Sequence, residues 1–150
     1  MIIILSILAL CIYLIFMTPY PFVCFLRRQI GSGRSKSPNN ISEYLEKVSR
    51  EYAVEFPSKY NNNNYDIATP LNGEIKGVIL WIHGGSFIGG SSEGTRNFGP
   101  MIASQGYIFL AMNYAYSPEY SFPTQLHQVG DMLNYISNDN RFNNKPIILG

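Results

Sequence analysis

The residues best suited to chemistry form one short string, His83-Gly84-Gly85-Ser86-Phe87, directly after the apolar run Gly77 to Ile82 (GVILWI). Glycine has no Cβ, so successive glycines let main-chain N–H groups turn inward and approach a bound group closely. Acyl transfer generates a tetrahedral oxyanion, and preorganised N–H groups stabilise it. Losing one such donor costs roughly 2.7–4 kcal/mol of barrier. A strand ending in His-Gly-Gly offers two or three donors at the carboxyl edge of a sheet, where ligands bind in open α/β folds. The plainer alternative for His-Gly-Gly alone is an ordinary glycine-rich turn.

A second string, Gly90-Ser91-Ser92-Glu93-Gly94, has the spelling of a serine nucleophile elbow. An elbow needs a strand directly before it and a helix directly after. This string follows Gly89 in a loop, so Ser92 is expected to be a decoy. His127 falls within a helical pattern and reads as a surface residue. Cys11 and Cys24 both lie in an apolar N-terminal stretch, where no disulfide framework or metal site can be built from them. They read as small hydrophobes in lipid. No metal ligand set and no cofactor is expected.

The elements that must position His83 to Phe87 alternate in period. Gly77 to Ile82, Tyr107 to Met112 (YIFLAM) and Pro146 to Leu149 (PIIL) are continuous apolar runs, as expected of strands covered on both faces. Thr95 to Gln105 can be a helix between the first two. From Pro123 to about Asn138 the apolar positions Leu126, Val129, Leu133 and Ile136 recur at helical spacing, with Pro123 suited to a first helical position. Strand, helix, strand, helix, strand is the signature of a parallel sheet with crossover helices. Upstream, Ile41, Leu45, Val48 and Tyr52 share one face of a short amphipathic helix, with Asn40 and Glu43 as an N-cap pair. Short strands are expected near Tyr52 to Phe56 and Tyr65 to Ala68, with a polar turn at Asn61 to Asn64.

The first 26 residues carry no charged side chain, and Met1 to Met17 is almost wholly aliphatic or aromatic. Seventeen helical residues span about 26 Å, near the lower limit for crossing a bilayer. The positive n-region and small-residue cleavage site of a signal peptide are not evident. Residues 1–26 therefore read as a transmembrane anchor or uncleaved signal, residues 27–40 as a Gly/Ser/Asn-rich linker, and residues 41–150 as a folded domain. Arg27, Arg28, Arg34 and Lys36 all follow the apolar segment, which by the positive-inside rule places that domain in the cytoplasm. The net charge of +1 over 150 residues gives no reason to expect nucleic acid as a partner. Composition leaves the oligomeric state undetermined.

About thirty residues after the glycine string, Asn113 to Pro123 reads NYAYSPEYSFP. With His83-Gly84-Gly85-Ser86-Phe87, this segment resembles the α/β-hydrolases of the hormone-sensitive-lipase-like group, which includes esterases and carboxylesterases. Asn113, Tyr114, Pro118, Glu119, Phe122 and Pro123 match that group's segment in order and spacing, and the resemblance covers roughly Tyr65 to Gly150. It implies an α/β-hydrolase-type, mostly parallel sheet with crossover helices, and a small-molecule ester substrate.

Carried over, the resemblance makes Gly85 and Ser86 donors to the oxyanion, with Gly84 shaping the approach. His83 supports the loop and is not the general base; Phe87 and Tyr114 line the substrate pocket. Two departures stand out. Ser86 replaces a third glycine, keeping the donor provided the backbone needs no positive φ there. Ala115 replaces an arginine, so any ion pair made by that arginine is absent.

The same resemblance puts the nucleophile elbow just past Pro146 to Gly150. The chain is therefore expected to stop at the nucleophile strand, with the Ser, Asp or Glu, and His of the triad beyond Gly150. Such a fragment would be inactive, with one sheet edge uncovered and marginal stability. Two other readings stay open: a non-catalytic, membrane-tethered binding module, and a peptidase or amidase on the same fold.

Overall fold

The structure, a computed structural model, describes residues 1–30, 36–142 and 144–150. Its centre is a five-stranded sheet of β1 (Val48–Glu55), β2 (Asn64–Pro70), β3 (Gly77–Ile82), β4 (Tyr107–Met112) and β5 (Ile147–Leu149), in the order β1-β2-β4-β3-β5. The β3–β4 and β3–β5 pairings are parallel, while β1–β2 and β2–β4 are antiparallel. The expected mostly parallel sheet is therefore a mixed one. The three apolar runs are its parallel part, and an upstream hairpin adds the antiparallel half.

That hairpin corrects the reading of residues 41–56. Helix α3 (Ile41–Leu45) is a single turn, and Val48 and Tyr52 lie in β1. Asn40 makes no side-chain cap to the helix; its amide donates to the Tyr44 hydroxyl. Pairing of Val48 to Glu51 against Ile67 to Pro70 overrides a helical period that only four residues supported. A bulge follows Glu51, where Ala53 takes φ +53° and its N–H donates to the buried Asp66 carboxylate at 3.0 Å.

Two core clusters flank the sheet. On one face Val78, Leu80, Ile108, Leu110 and Met112 meet Met132 and Ile136 of α5 (Thr124–Asn138). On the other, Phe109 and Ala111 meet α4 (Gly99–Ala103), with Trp81 and Phe98 packed alongside. Of the helix expected over Thr95 to Gln105 only the short α4 forms, preceded by a 3-10 turn at Ser92–Thr95. Pro100 explains the break, since it lacks an N–H and clashes inside a helix but fits the first turn of one. In α5 the expected face is largely the one turned inward, with Ile136 buried and Val129 and Leu133 packed against the core. Leu126, however, is 61% exposed, and Gln125, Gln128 and Met132 are buried.

The N-terminal segment is two helices, α1 (Ile2–Met17) and α2 (Tyr20–Ile30), bent by 65°. Thr18 precedes Pro19 and is extended (φ −122°, ψ 143°), as steric conflict with a following proline requires. No single helix among the described residues is long and apolar enough to cross a membrane, although the bent pair is so by length and composition. The expected single span over residues 1–26 is therefore interrupted. The expected linker also begins later than residue 27: Arg27 to Ile30 complete α2, and residues 31–35, with Arg34, lie outside the described residues.

Candidate functional site

The turn after β3 sits at the carboxyl ends of parallel strands. Gly150, following β5, pairs with β3 on both sides of its peptide: its N–H donates to the Leu80 carbonyl at 3.0 Å, and its carbonyl accepts from Ile82 at 2.8 Å. The ends of β3 and β5 thus open onto one edge.

From there the backbone turns left-handed. Gly85 has φ +128°, Ser86 +54° and Phe87 +60°. The turn closes on itself as Ile88 and Gly89 donate to the Gly85 carbonyl at 3.0 and 3.2 Å. A Cβ on Gly85 would stand 2.0 Å from the Gly89 carbonyl oxygen, whereas one on Gly84 would meet nothing within 4 Å. The two glycines therefore differ: Gly85 is required by the turn, and Gly84 leaves space open above it. Among the described residues, no group accepts from the N–H groups of Gly84, Gly85, Ser86 or Phe87.

Ser86 adopts the positive φ that its place as a third donor was expected not to need. The expected condition fails, while its N–H meets no acceptor among the described residues. A non-glycine residue there costs about 1 kcal/mol. Ser86→Gly is therefore expected to stabilise the chain by about 0.5–1 kcal/mol, read as a raised urea midpoint with unchanged slope.

His83 lies at the base of the turn, 8% exposed. Its ring stacks on Tyr114, with centroids 4.4 Å apart. Nδ1 lies 2.8 Å from the Gly84 carbonyl, which can only accept, so Nδ1 carries the proton. Nε2 is buried without a hydrogen-bond partner. A Cβ at Gly90 would fall 2.5 Å from Nδ1, so the returning chain also needs glycine. Burial pushes the imidazole pKa down from its ordinary 6.5, partly opposed by the Gly84 contact. A lowered folded pKa means the unfolded chain binds more protons between the two values. His83 should therefore make stability fall as pH drops below about 6.5, levelling off beneath the folded value. Urea midpoints between about pH 7.5 and 5.5 should show that slope, and His83→Gln should flatten it.

The segment Asn113 to Pro123 locks against this turn. Tyr114, expected in a substrate pocket, is 2% exposed and donates from its hydroxyl to the His83 carbonyl at 2.7 Å. That bond and the stacked His83 ring pack it beneath the turn. Phe87 is 54% exposed, its ring in a T-shaped contact with Tyr114, centroids 6.2 Å apart. Tyr116 donates to the Gly90 carbonyl at 2.6 Å, and the Ser117 N–H to the Phe87 carbonyl at 2.8 Å. Asn113 accepts from the Ser92 N–H at 2.7 Å and donates to the side chains of Asn64 and Ser92 at 2.7 and 3.1 Å. Ser92, 2% exposed in its 3-10 turn, has no strand directly before it. His127 is exposed and meets the Tyr60 hydroxyl at 3.1 Å.

Sequence reasoning missed Tyr116, Ser117, Gln125 and Gln128. The first two stand inside the matched segment, where their types alone announce no contact. Gln128 accepts from the Ala115 N–H at 2.7 Å, and Gln125 donates to the Ala115 carbonyl at 2.9 Å. A cavity of about 330 Å³ adjoins the turn, bounded by Ile30, Trp81, His83, Gly84, Gly85 and Ser91 among others. A larger cavity of about 560 Å³ lies between Pro57 and the end of α5, away from both motifs.

A strand-borne glycine turn, a locking segment and helices on both faces of this mixed sheet define an esterase-type α/β-hydrolase fold. The chain belongs to the BD-FAE family, whose family model matches residues 65–146. Among solved structures it is similar to esterase B from Lactobacillus rhamnosis, with a TM-score of 0.63 and 20% identity over 77% of this chain and 37% of that one. It is also similar to an esterase from Pyrobaculum calidifontis, with a TM-score of 0.59 and 20% identity over 85% and 42%. EstE5, soaked with p-nitrophenyl butyrate, aligns with a TM-score of 0.61 and 15% identity over 85% and 39%. The chain thus spans about two fifths of the length of these structures. No curated protein matches it in sequence.

Proposed function

We propose that this chain supplies the oxyanion-stabilising loop of a serine carboxylic ester hydrolase of the hormone-sensitive-lipase-like type. The observation that carries the reading is the left-handed turn Gly85–Phe87 at the shared open edge of β3 and β5. It turns consecutive N–H groups away from the chain's own hydrogen bonding, as a site for developing negative charge requires. In this reading Gly85 and Ser86 donate to the oxyanion, Gly84 leaves room for the acyl group, and His83 holds the turn. Phe87 stands at the mouth. The serine follows β5, with the acid and histidine further on, and Ser92 takes no part. The bent pair α1–α2 tethers the domain to a membrane whose cytoplasmic side it faces.

The test is to read the coding sequence beyond Gly150 and assay both lengths with a p-nitrophenyl ester. The expected result is an in-frame Gly-x-Ser-x-Gly directly after β5, with turnover only in the longer chain. Turnover by residues 1–150 that Ser92→Ala abolishes would overturn the reading.

A further inference from the structure

Arg27 of α2 grips both walls of the candidate site. Its Nε donates to the Ile88 carbonyl in the turn at 2.6 Å, and its Nη2 to the Ser117 carbonyl in the locking segment at 2.7 Å. The same guanidinium forks onto Glu119, at 2.8 Å from Nη1 to Oε1 and through a second contact to Oε2. It also lies over the Tyr116 ring, 5.6 Å from its centroid. Close approach comes with it, since a Cβ on Gly89 would lie 3.6 Å from both the Arg27 and Ile30 side chains. The locking segment Asn113 to Pro123 contains no lysine or arginine. Glu119 draws its counter-charge from Arg27 of α2, which holds its carboxyl below the usual range.

An exposed ion pair alone contributes little, and these side chains are 27% and 42% exposed. The geometry here is more than a pair. A planar fork reaches two backbone carbonyls and both carboxylate oxygens at once, which a lysine ammonium cannot reproduce. The two carbonyls belong to segments already joined through Ser117 N–H and Phe87.

We propose that Arg27 is a positioning residue that fixes the Gly85–Gly89 turn against the Asn113–Pro123 segment, so that docking of α2 is a condition for a formed oxyanion loop. The functional consequence rests on the oxyanion reading of Gly85 and Ser86; the clamp itself rests on the contacts.

The full 150-residue chain in detergent micelles provides the test. Amide exchange is followed in residues 84–90 and 114–120, together with emission from Trp81, the single tryptophan, which shares a cavity with Ile30. Arg27→Ala is expected to speed exchange of both segments about fivefold to tenfold and to redden Trp81 emission, while the β3–β4 ladder keeps its protection. Arg27→Lys should recover less than half of that protection. Glu119→Gln, which leaves α2 untouched, should give a smaller change in the same two segments. Unchanged loop exchange in Arg27→Ala, uniform acceleration across β3 and β4, or full recovery by lysine would each refute the clamp. None of these measurements involves ester turnover, so the clamp and the oxyanion reading can fail separately.

Discussion

Gly85→Ala is expected to dismantle the turn after β3 and to lower stability by about 3 kcal/mol. Its φ of +128° is a conformation open essentially to glycine, and the new methyl would stand 2.0 Å from the Gly89 carbonyl oxygen. That oxygen is backbone, held in a turn that Ile88 and Gly89 close onto Gly85 itself, so it cannot step aside as a flexible side chain would. The turn must open, carrying with it the Phe87 carbonyl bonded by Ser117. Gly84→Ala is the control, because its methyl would meet nothing within 4 Å. Thermal unfolding should separate the two variants by roughly 10 °C or more. In a longer chain with ester turnover, Gly85→Ala should also reduce kcat by about 10²–10³, as losing an oxyanion donor does.

The second large effect is expected at Gln128, which is fully buried in α5. Gln128→Leu keeps the volume but removes the acceptor for the Ala115 N–H and the donor to the Asn61 carbonyl. Asn61 is exposed and can turn to water, whereas Ala115 is 2% exposed and cannot. One stranded buried donor dominates, and the expected loss is about 2–3 kcal/mol. Leu126→Gln makes the opposite exchange on the neighbouring exposed position and should stay within about 0.5 kcal/mol of the parent. Urea unfolding of the two variants measures which face of α5 is buried. Equal losses at both positions would contradict the observed face.

The apolar runs of β3 and β4 were legible because strands in the middle of a sheet shed polar residues on both faces. β5 has the same composition but is the edge strand, with Ile148 and Leu149 exposed, against the expectation that it is covered on both faces. The glycine turn was legible because its backbone demands a residue type at a known place, the end of a strand. One position of α5, Leu126, was misread for the converse reason. Leu126 fits an apolar stripe, yet Gln125 and Gln128 turn inward to satisfy the backbone of Ala115. That demand is invisible until the locking segment is folded beside the helix. The aromatic type of Tyr114 likewise suits a pocket wall as well as a post beneath the turn.

The sequence by itself determined that a strand would end in a glycine-rich turn with inward N–H groups, for which local backbone chemistry suffices. The resemblance singled out Asn113 to Pro123 as a second segment. Only the tertiary structure decided that Ser86 carries positive φ, that His83 protonates Nδ1 toward Gly84, and that Arg27 bridges the two segments from α2. The first two are backbone and ring geometries that residue types alone leave open, and the third brings Arg27 to groups about sixty to ninety residues along the chain. A hydrogen bond at that separation leaves no period or spacing in the sequence, because its geometry exists only once the sheet and helices have closed around it.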